Sequence, residues 1–290
     1  MKILILGVSG MLGNAMLKVL VKKDNWEVFG TLRNERYVEF FPRSISGSII
    51  SNIDTSKTDV VEKLFNEVKP NVVINCIGIT KHQPGCCDPA LAIEINSLLP
   101  HRLANICMNS NARLIHISTD CVFSGNKGNY IEADFPDAND LYGRSKALGE
   151  VTAPDSLTLR TSIIGHELDG KTSLIEWFLA QKQFCSGYSR AIFSGLPTTT
   201  LAEIVRDFII PDSQLSGLYH VGAAPITKFD LLKLIAQVYD KSIEIKGDDH
   251  LIIDRSLNCE RFYRATGYIA PKWPELIKNM YDCKGWGNYV

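Results

Sequence analysis

The sequence lacks the features that mark membrane-spanning, disordered or nucleic-acid-binding chains. No apolar stretch approaches the ~20 residues that a spanning helix needs, so no membrane segment is expected. Acidic and basic residues nearly cancel to a net charge of -1, which offers no electrostatic surface to nucleic acid or an anionic membrane. Charges are scattered, and 45% of the residues are hydrophobic, so the chain has ample material for a folded core.

Paired cysteine motifs are also absent. Eight cysteines are present, but no two have the CxxC spacing of structural zinc sites or thiol oxidoreductases. The one group that resembles a ligand set is His82 with Cys86 and Cys87, and adjacent cysteines are poorly placed to bind one tetrahedral ion. We therefore expect reduced thiols, no disulfide framework and no metal site.

The N-terminal apolar run does not have the form of a secretion signal. It covers residues 1–6, stops at Gly7, and is not followed by a small-residue cleavage site. We interpret it as a buried first strand and expect a cytoplasmic location.

Strand-like and helix-like segments alternate through the first half of the chain. Short apolar runs predict parallel strands covered on both faces, at residues 3–6, 28–31, 48–53, 72–75, 113–118 and 156–161. Segments with helical periodicity lie between them, at residues 11–22, 60–68, 91–108 and 141–151. This order predicts βαβ units and an α/β fold with a doubly wound, Rossmann-like parallel sheet.

The regular alternation loosens after residue 161. Longer helical patterns, such as the one at 228–239, are mixed there with short extended pieces. We expect a dinucleotide-binding domain at residues 1–161 and a smaller, mixed α/β substrate-binding lobe at residues 162–290. The apolar strand at 218–221 could return to the main sheet.

A glycine loop lies directly between the first strand and the first helix. Gly7, Gly10 and Gly13 have GxxGxxG spacing, which differs from the GxGxxG of the ordinary dinucleotide fingerprint. Glycines at such a turn let the backbone and the helix N-terminus approach a pyrophosphate. A tight turn without a ligand would use glycines too, but the position at the start of a βαβ run favours a nucleotide site.

The second strand ends without an acidic residue. An NAD site usually has an Asp or Glu there, because a carboxylate accepts hydrogen bonds from the ribose 2′-hydroxyl and repels a 2′-phosphate. Thr31 and Arg33 follow instead, and a guanidinium can bind a phosphate through two parallel hydrogen bonds. NADP(H) is therefore expected rather than NAD(H), although a solvent-facing loop arginine would look the same in sequence.

Two further segments carry candidate chemistry. Tyr142 and Lys146 are four residues apart on a predicted helix, and an ammonium beside a phenol favours the phenolate and lowers its pKa. Ser118 and Thr119 follow the predicted strand at 113–118, at the edge where open α/β sheets bind ligands. Taken alone, Tyr142 and Lys146 could be a contact on the protein surface, and the two hydroxyls could cap a helix or stabilise a turn. The glycine loop, the hydroxyl residues and the Tyr-Lys pair, occurring together in this order, are more specific evidence for an active site than any one of them.

Together these segments resemble the extended short-chain dehydrogenases, and most closely the dTDP-4-dehydrorhamnose reductase family. The resemblance runs from residue 1 to about residue 240 and is carried by the glycine loop, residues 75–78, 118–123, 159–162, 193–198 and 217–221, and the pair Tyr142/Lys146.

The resemblance implies a role for each of these residues. Tyr142 would protonate the sugar oxygen as hydride reaches the carbonyl carbon, Lys146 would lower the pKa of Tyr142 and hold the nicotinamide ribose, and Thr119 would polarise the carbonyl. The remaining residues implied to contact the cofactor are Gly7, Gly10, Met11, Leu12 and Gly13 at the pyrophosphate, Asp54 near the adenine, and Cys76, Ile77 and Gly78 along its middle.

The implied function is an NADP(H)-dependent reduction of a nucleotide-activated 4-keto-6-deoxy sugar in surface-polysaccharide precursor synthesis. A homodimer is left open. Two features depart from the family pattern: Cys121 stands where the rhamnose-type reductases have an aromatic residue, and the loop at 81–87 bears little likeness to theirs. Both leave the identity of the sugar open.

Three other functions fit parts of the sequence. Nucleotide-sugar dehydratases of this fold carry Thr-Asp-Glu, and Cys121 stands where that glutamate would be. A 4-epimerase would also use a Tyr-Lys pair, with tightly held NAD. A regulatory subunit similar to the β subunit of methionine adenosyltransferase would serve as a partner rather than as an enzyme.

Overall fold

Parallel strands form the central sheet of the protein. The computed structural model describes residues 1–81, 85–170 and 172–285. Its strands, numbered along the chain, are β1 (Lys2–Leu6), β2 (Glu27–Thr31), β3 (Ile49–Ile50), β4 (Val72–Asn75), β5 (Arg113–Ile117), β6 (Ser156–Arg160), β7 (Ile163–Ile164), β8 (Phe184–Tyr188), β9 (Ala191–Phe193), β10 (Leu196–Pro197), β11 (Gly217–His220), β12 (Ile226–Thr227), β13 (Glu244–Asp248) and β14 (Ile253–Asp254).

The central sheet contains seven strands in the order β11-β6-β5-β4-β1-β2-β3, and every neighbouring pair is parallel. The order reverses at β1, which lies between β2 and β4. Ligands of such sheets bind beyond the carboxyl ends of the strands, at the reversal. The predicted doubly wound, Rossmann-like α/β fold is confirmed.

Helices cover both faces of this sheet. The helices of the described residues are α1 (Met11–Leu20), α2 (Thr58–Val68), α3 (Pro89–Ala92), α4 (Leu99–Asn109), α5 (Leu141–Leu148), α6 (Leu174–Ala180), α7 (Thr198–Ile204), α8 (Lys228–Val238), α9 (Glu260–Thr266) and α10 (Trp273–Asp282), and α7, α8 and α10 also pack on the smaller sheets. Because side chains alternate along a strand, Ile3 and Ile5 of β1 pack in the core with α1 and α7, whereas Leu4 and Leu6 pack with α2 and α4. Both faces of β1 are therefore buried, which explains its unbroken apolar sequence.

The chain beyond β6 adds three small sheets. β7 pairs with β10, β9 lies between β12 and β14, and β8 pairs with β13. β11 leaves this region and pairs with β6 at the edge of the central sheet. No helix in the described ranges has the length and apolar character needed to cross a bilayer.

Three segments differ from their predicted form. The third strand is reduced to Ile49–Ile50, because Asn52 has a φ of 62°, which a strand cannot accommodate. The long helix predicted before β5 contains a π-helical segment, Ile93–Leu98, between α3 and α4. Helix α9 has no counterpart in the sequence prediction, because it buries only Phe262 and so shows little amphipathic periodicity.

Candidate active site

The glycine loop between β1 and α1 requires glycine at two positions. Gly7 has a φ of +87°, a conformation that residues with side chains rarely adopt. A Cβ atom on Gly13 would collide with the Gly7 carbonyl oxygen, so α1 could not approach the loop. Gly10 precedes α1 without a side-chain cap, and the first-turn N–H groups, including those of Met11 and Leu12, are available to an anionic ligand.

The end of β2 supports the glycine loop from one side. The Gly7 N–H donates to Thr31 Oγ1 at 3.2 Å, and the Val8 N–H donates to the Thr31 carbonyl at 3.0 Å. The Thr31 side chain is buried, so its hydroxyl is committed to the loop. Arg33 is exposed and has no ion-pair partner among the described residues, which leaves its guanidinium open to a ligand.

Asp54 follows β3 and lies within electrostatic reach of Arg33. The Ser56 hydroxyl donates to Asp54 Oδ1 at 2.7 Å. This hydrogen bond holds the pKa of Asp54 below its ordinary value, and the Arg33 guanidinium contributes a smaller lowering. The two residues predicted at the adenosine end of a cofactor are therefore neighbours in the fold.

The segment after β4 connects the glycine loop to helix α5. A Cβ atom on Gly7 would come within 2.8 Å of Ile77 Cγ1, and one on Gly78 would lie 3.9 Å from Lys146 Nζ. Burial raises the pKa of Cys76 to about 12, so this residue is a neutral thiol. The glycine loop, residues 76–78 and Lys146 thus meet at the carboxyl edge of the sheet.

Close packing places α5 against the segment that follows β5. Asp140 caps the helix by accepting a hydrogen bond from the Gly143 N–H at 2.9 Å. A Cβ atom on Gly143 would collide with the Cys121 carbonyl oxygen. Glycine at this position therefore allows the helix to bring its side chains to the end of β5.

Thr119, Tyr142 and Lys146 come together there. The Thr119 hydroxyl lies close enough to the Tyr142 phenol to oppose the rise in its pKa that burial causes. The Lys146 ammonium donates to the Ile117 carbonyl at 2.7 Å, at the end of β5. The three residues that the sequence singles out for chemistry are thus placed on two adjacent elements beside the glycine loop.

Burial makes the largest contribution to the pKa shifts of Tyr142 and Lys146. It raises the pKa of Tyr142, with a smaller contribution from Cys121, and the Thr119 hydroxyl only partly opposes this shift. The net shift of the Tyr142 pKa is upward, and the lowering expected from Lys146 stays a prediction. Burial also lowers the pKa of Lys146 to about 8, against an opposing contribution from Glu150. At neutral pH the phenol is neutral and the lysine is mostly charged.

A charged side chain from the second half of the chain reaches the same site. Arg255, which follows β14, donates from Nε to the Phe123 carbonyl at 2.7 Å and lies 3.8 Å from Cys121 Sγ. It also lowers the pKa of the buried Asp120, although burial raises that pKa overall. Burial raises the pKa of Cys121 to about 11, so Cys121 is a neutral thiol and not a replacement for a carboxylate.

Asn96, in the π-helical segment, is a site residue that no sequence motif predicted. Its side chain accepts from the Ile79 N–H at 2.8 Å and donates to the Ile79 carbonyl at 3.0 Å and to Ser145 Oγ at 3.1 Å. It therefore ties the segment after β4 to α5. The sequence did contain one signal for this residue. Ala92, Asn96 and Leu99 have the spacing of one helix face, and Asn96 is a polar residue on a face that is otherwise apolar.

A buried ion pair, also not predicted, lies behind Lys146. Glu150 accepts from Arg160 Nε at 2.8 Å and from Arg160 Nη2 at 2.7 Å, and from the Ser118 hydroxyl at 2.8 Å. The side chains of Arg160 and Glu150 are 3% and 9% exposed. The pair joins the ends of β5 and β6 to the end of α5, but its partners are distant in sequence and form no motif.

The loop that departs from the reductase pattern also contacts the site. Lys81 Nζ lies 2.8 Å from Asp140 Oδ2 and 5.8 Å from the centre of the Tyr142 ring. His82, which the sequence analysis weighed as a metal ligand, lies outside the described residues.

The comparisons with known proteins agree with this geometry. The profile of the family described as RmlD substrate binding domain matches residues 1–250. The chain is 28% identical to dTDP-4-dehydrorhamnose reductase from Aggregatibacter actinomycetemcomitans, over 96% of this chain and 98% of the relative. It is also 26% identical to methionine adenosyltransferase 2 subunit beta from Xenopus laevis, over 82% of this chain and 72% of that protein.

A solved structure shares the fold over nearly the whole chain. The crystal structure of dTDP-4-dehydrorhamnose reductase from Bacillus anthracis in complex with NADP superposes with a TM-score of 0.77. It covers 97% of this chain and 98% of that one at 20% sequence identity. The protein thus has the extended short-chain dehydrogenase fold, and the chain belongs to the RmlD substrate binding domain family.

Proposed function

We propose that the protein is an NADP(H)-dependent reductase of a nucleotide-activated 4-keto-6-deoxy sugar, in the synthesis of a surface-polysaccharide precursor. The observation that carries this proposal is the placement of Thr119, Tyr142 and Lys146 beside the glycine loop. Under this proposal residues 1–161 bind the cofactor, and residues 162–290 form most of the surface that binds the sugar nucleotide. Strand β11 belongs to the second segment but pairs in the central sheet.

The residues present fit a dinucleotide. The glycine loop leaves no room for a Cβ atom at Gly13, and its helix N-terminus faces the place of a pyrophosphate. Gly7, Gly10, Met11, Leu12 and Gly13 would hold that pyrophosphate through backbone N–H groups, and residues 76–78 would line the middle of the cofactor. When bound, the cofactor supplies the hydride.

The protein's own groups supply position and a proton. Thr119 donates a hydrogen bond to the substrate carbonyl, and Tyr142 transfers its phenolic proton to the sugar oxygen. A raised pKa suits this direction of reaction, because a proton donor must be protonated at neutral pH. The Lys146 ammonium hydrogen-bonds the nicotinamide ribose and stabilises the phenolate that remains.

Activity should therefore fall as Lys146 loses its proton. Because the pKa of this buried lysine is lowered to about 8, we expect kcat/KM, which reports groups of the free enzyme, to decline as the pH rises through about 8. Lys146→Arg, measured in the same series, keeps the positive charge and should remove this decline. An identical decline in the arginine variant would show that another group controls it.

Cofactor preference depends on Arg33 in this proposal. A charge-assisted hydrogen bond to the 2′-phosphate is worth ~1.5–3 kcal/mol, so Arg33→Ala should reduce the preference for NADPH over NADH by roughly ten- to a hundredfold. The measurement is the ratio of kcat/KM for the two cofactors. Arg43→Ala, which removes an exposed arginine from the 3-10 helix Arg43–Ser48, is the control and should leave the ratio unchanged. An unchanged ratio in Arg33→Ala would refute this assignment.

The reaction class is tested with a substrate panel. NADPH and a set of 4-keto-6-deoxy nucleotide sugars should give nicotinamide oxidation. The protein should not dehydrate dTDP-glucose or UDP-GlcNAc in the presence of NAD, because Cys121 is a neutral thiol where a dehydratase has an acid. Loss of one water from either sugar, detected by mass spectrometry, would replace the reductase assignment with a dehydratase.

A second candidate function is a regulatory subunit. Its support is the likeness to the methionine adenosyltransferase β subunit over 82% of this chain. A non-catalytic subunit would co-purify with a larger catalytic chain and turn over no keto-sugar in the same panel. Reduction of any sugar in the panel excludes a purely non-catalytic role.

A further inference from the structure

Two adjacent cysteines occupy the centre of a tight turn before α3. The Asp88 N–H donates to the Gly85 carbonyl at 3.0 Å and closes the turn around Cys86 and Cys87. Gly85 has a φ of +84°, and the Asp88 side chain accepts from the Ala90 N–H at 3.0 Å as the cap of α3. A backbone hydrogen bond therefore closes the turn, and the cap of α3 holds the backbone that follows the pair.

The turn directs the two thiols toward each other. Cys86 Sγ and Cys87 Sγ are 3.6 Å apart, within hydrogen-bonding distance for sulfur, and Cys87 is exposed to solvent. This contact raises the pKa of Cys86, because its thiol is engaged with that of its neighbour. Burial raises the pKa of Cys107 and Cys259 to about 12, which keeps those thiols protonated.

We propose that Cys86 and Cys87 form a redox-active vicinal dithiol that a peroxide oxidises reversibly to a disulfide. One thiolate attacks a peroxide oxygen, which gives a sulfenic acid and, after protonation, one water. The second thiol then attacks the sulfenic sulfur, the S–S bond forms, and the sulfenic oxygen leaves as a second water. Two thiols are oxidised and one hydrogen peroxide is reduced, so the atoms and electrons balance.

The disulfide should also be easy to reduce. Closure brings the sulfurs from 3.6 Å to about 2.0 Å within a ring that contains the Cys86–Cys87 peptide. Adjacent Cα atoms are ~3.8 Å apart, closer than in ordinary disulfides, so the ring is strained. Strained, exposed disulfides have the more oxidising potentials of labile and regulatory pairs.

Peptide mapping provides a direct test. Trypsin cleavage after Lys81 and Arg102 releases both cysteines on one peptide that contains no other cysteine. After treatment of the full-length protein with hydrogen peroxide and alkylation of free thiols, this peptide should lose two hydrogens and both alkylation sites. Dithiothreitol should restore both sites.

Two controls separate the proposal from general thiol oxidation. The Cys87→Ser variant should form no disulfide within this peptide. Closure in the native protein should be at least severalfold faster than in protein unfolded by urea, because the turn holds the thiols together. Equal rates, persistent alkylation of both cysteines, or cross-linking of this peptide to another cysteine would overturn the proposal.

Discussion

Tyr142→Phe is expected to lower kcat by about 100- to 10,000-fold, the usual contribution of a general acid. The substitution removes the phenolic hydroxyl and its proton but keeps the ring. Cofactor binding should stay nearly intact, because the cofactor contacts assigned to the glycine loop and Lys146 remain. Steady-state turnover and NADPH titration measure the two effects separately.

The control for this variant is Tyr263→Phe. Tyr263 is 46% exposed on α9, so loss of its hydroxyl should change neither quantity. If Tyr142→Phe retains more than about a tenth of wild-type kcat, the loss is well short of a general-acid contribution and Tyr142 is not the proton donor.

Glu150→Ala should lower the free energy of unfolding by about 3–5 kcal/mol, because it leaves the Arg160 guanidinium buried without its charge partner. The side chains of both residues are at least nine-tenths buried, so solvent cannot compensate. The variant also removes the acceptor of the Ser118 hydroxyl. Urea-induced unfolding, followed by tryptophan fluorescence and circular dichroism, gives the change.

An ion pair on the protein surface is the control for the stability change in Glu150→Ala. Glu67 lies 3.9 Å from Lys63 on α2, with side chains 61% and 78% exposed. Glu67→Ala should change stability by less than about 0.5 kcal/mol, since surface ion pairs contribute little. Equal losses in Glu150→Ala and Glu67→Ala would contradict the structural role given to the buried pair.

The parts of the fold that the sequence predicts correctly have local signals. Strand β1 is apolar throughout because both of its faces are buried, and the turn after it needs glycine at Gly7 and Gly13 for steric reasons. These signals, with the Tyr142/Lys146 spacing, were sufficient to predict the α/β class and the family, and both are confirmed. The roles given to individual residues stay predictions.

The parts that the sequence does not predict depend on contacts between distant segments. Asn96 lies 49 residues from its partner Ser145, and Arg255 lies 132 residues from Phe123. Burial raises the pKa of Tyr142, and helical spacing cannot show this shift because burial is a property of the whole fold.

Transfer of an isotope label from cofactor to sugar tests the central claim most directly. NADPH carrying deuterium at the transferable C4 position of nicotinamide is mixed with the protein and a 4-keto-6-deoxy nucleotide sugar, and the product is analysed by nuclear magnetic resonance. The proposed hydride transfer places deuterium at C4 of the sugar, in an amount equal to the NADPH consumed. An unlabelled product, or no product across nucleotides and sugars, would contradict it.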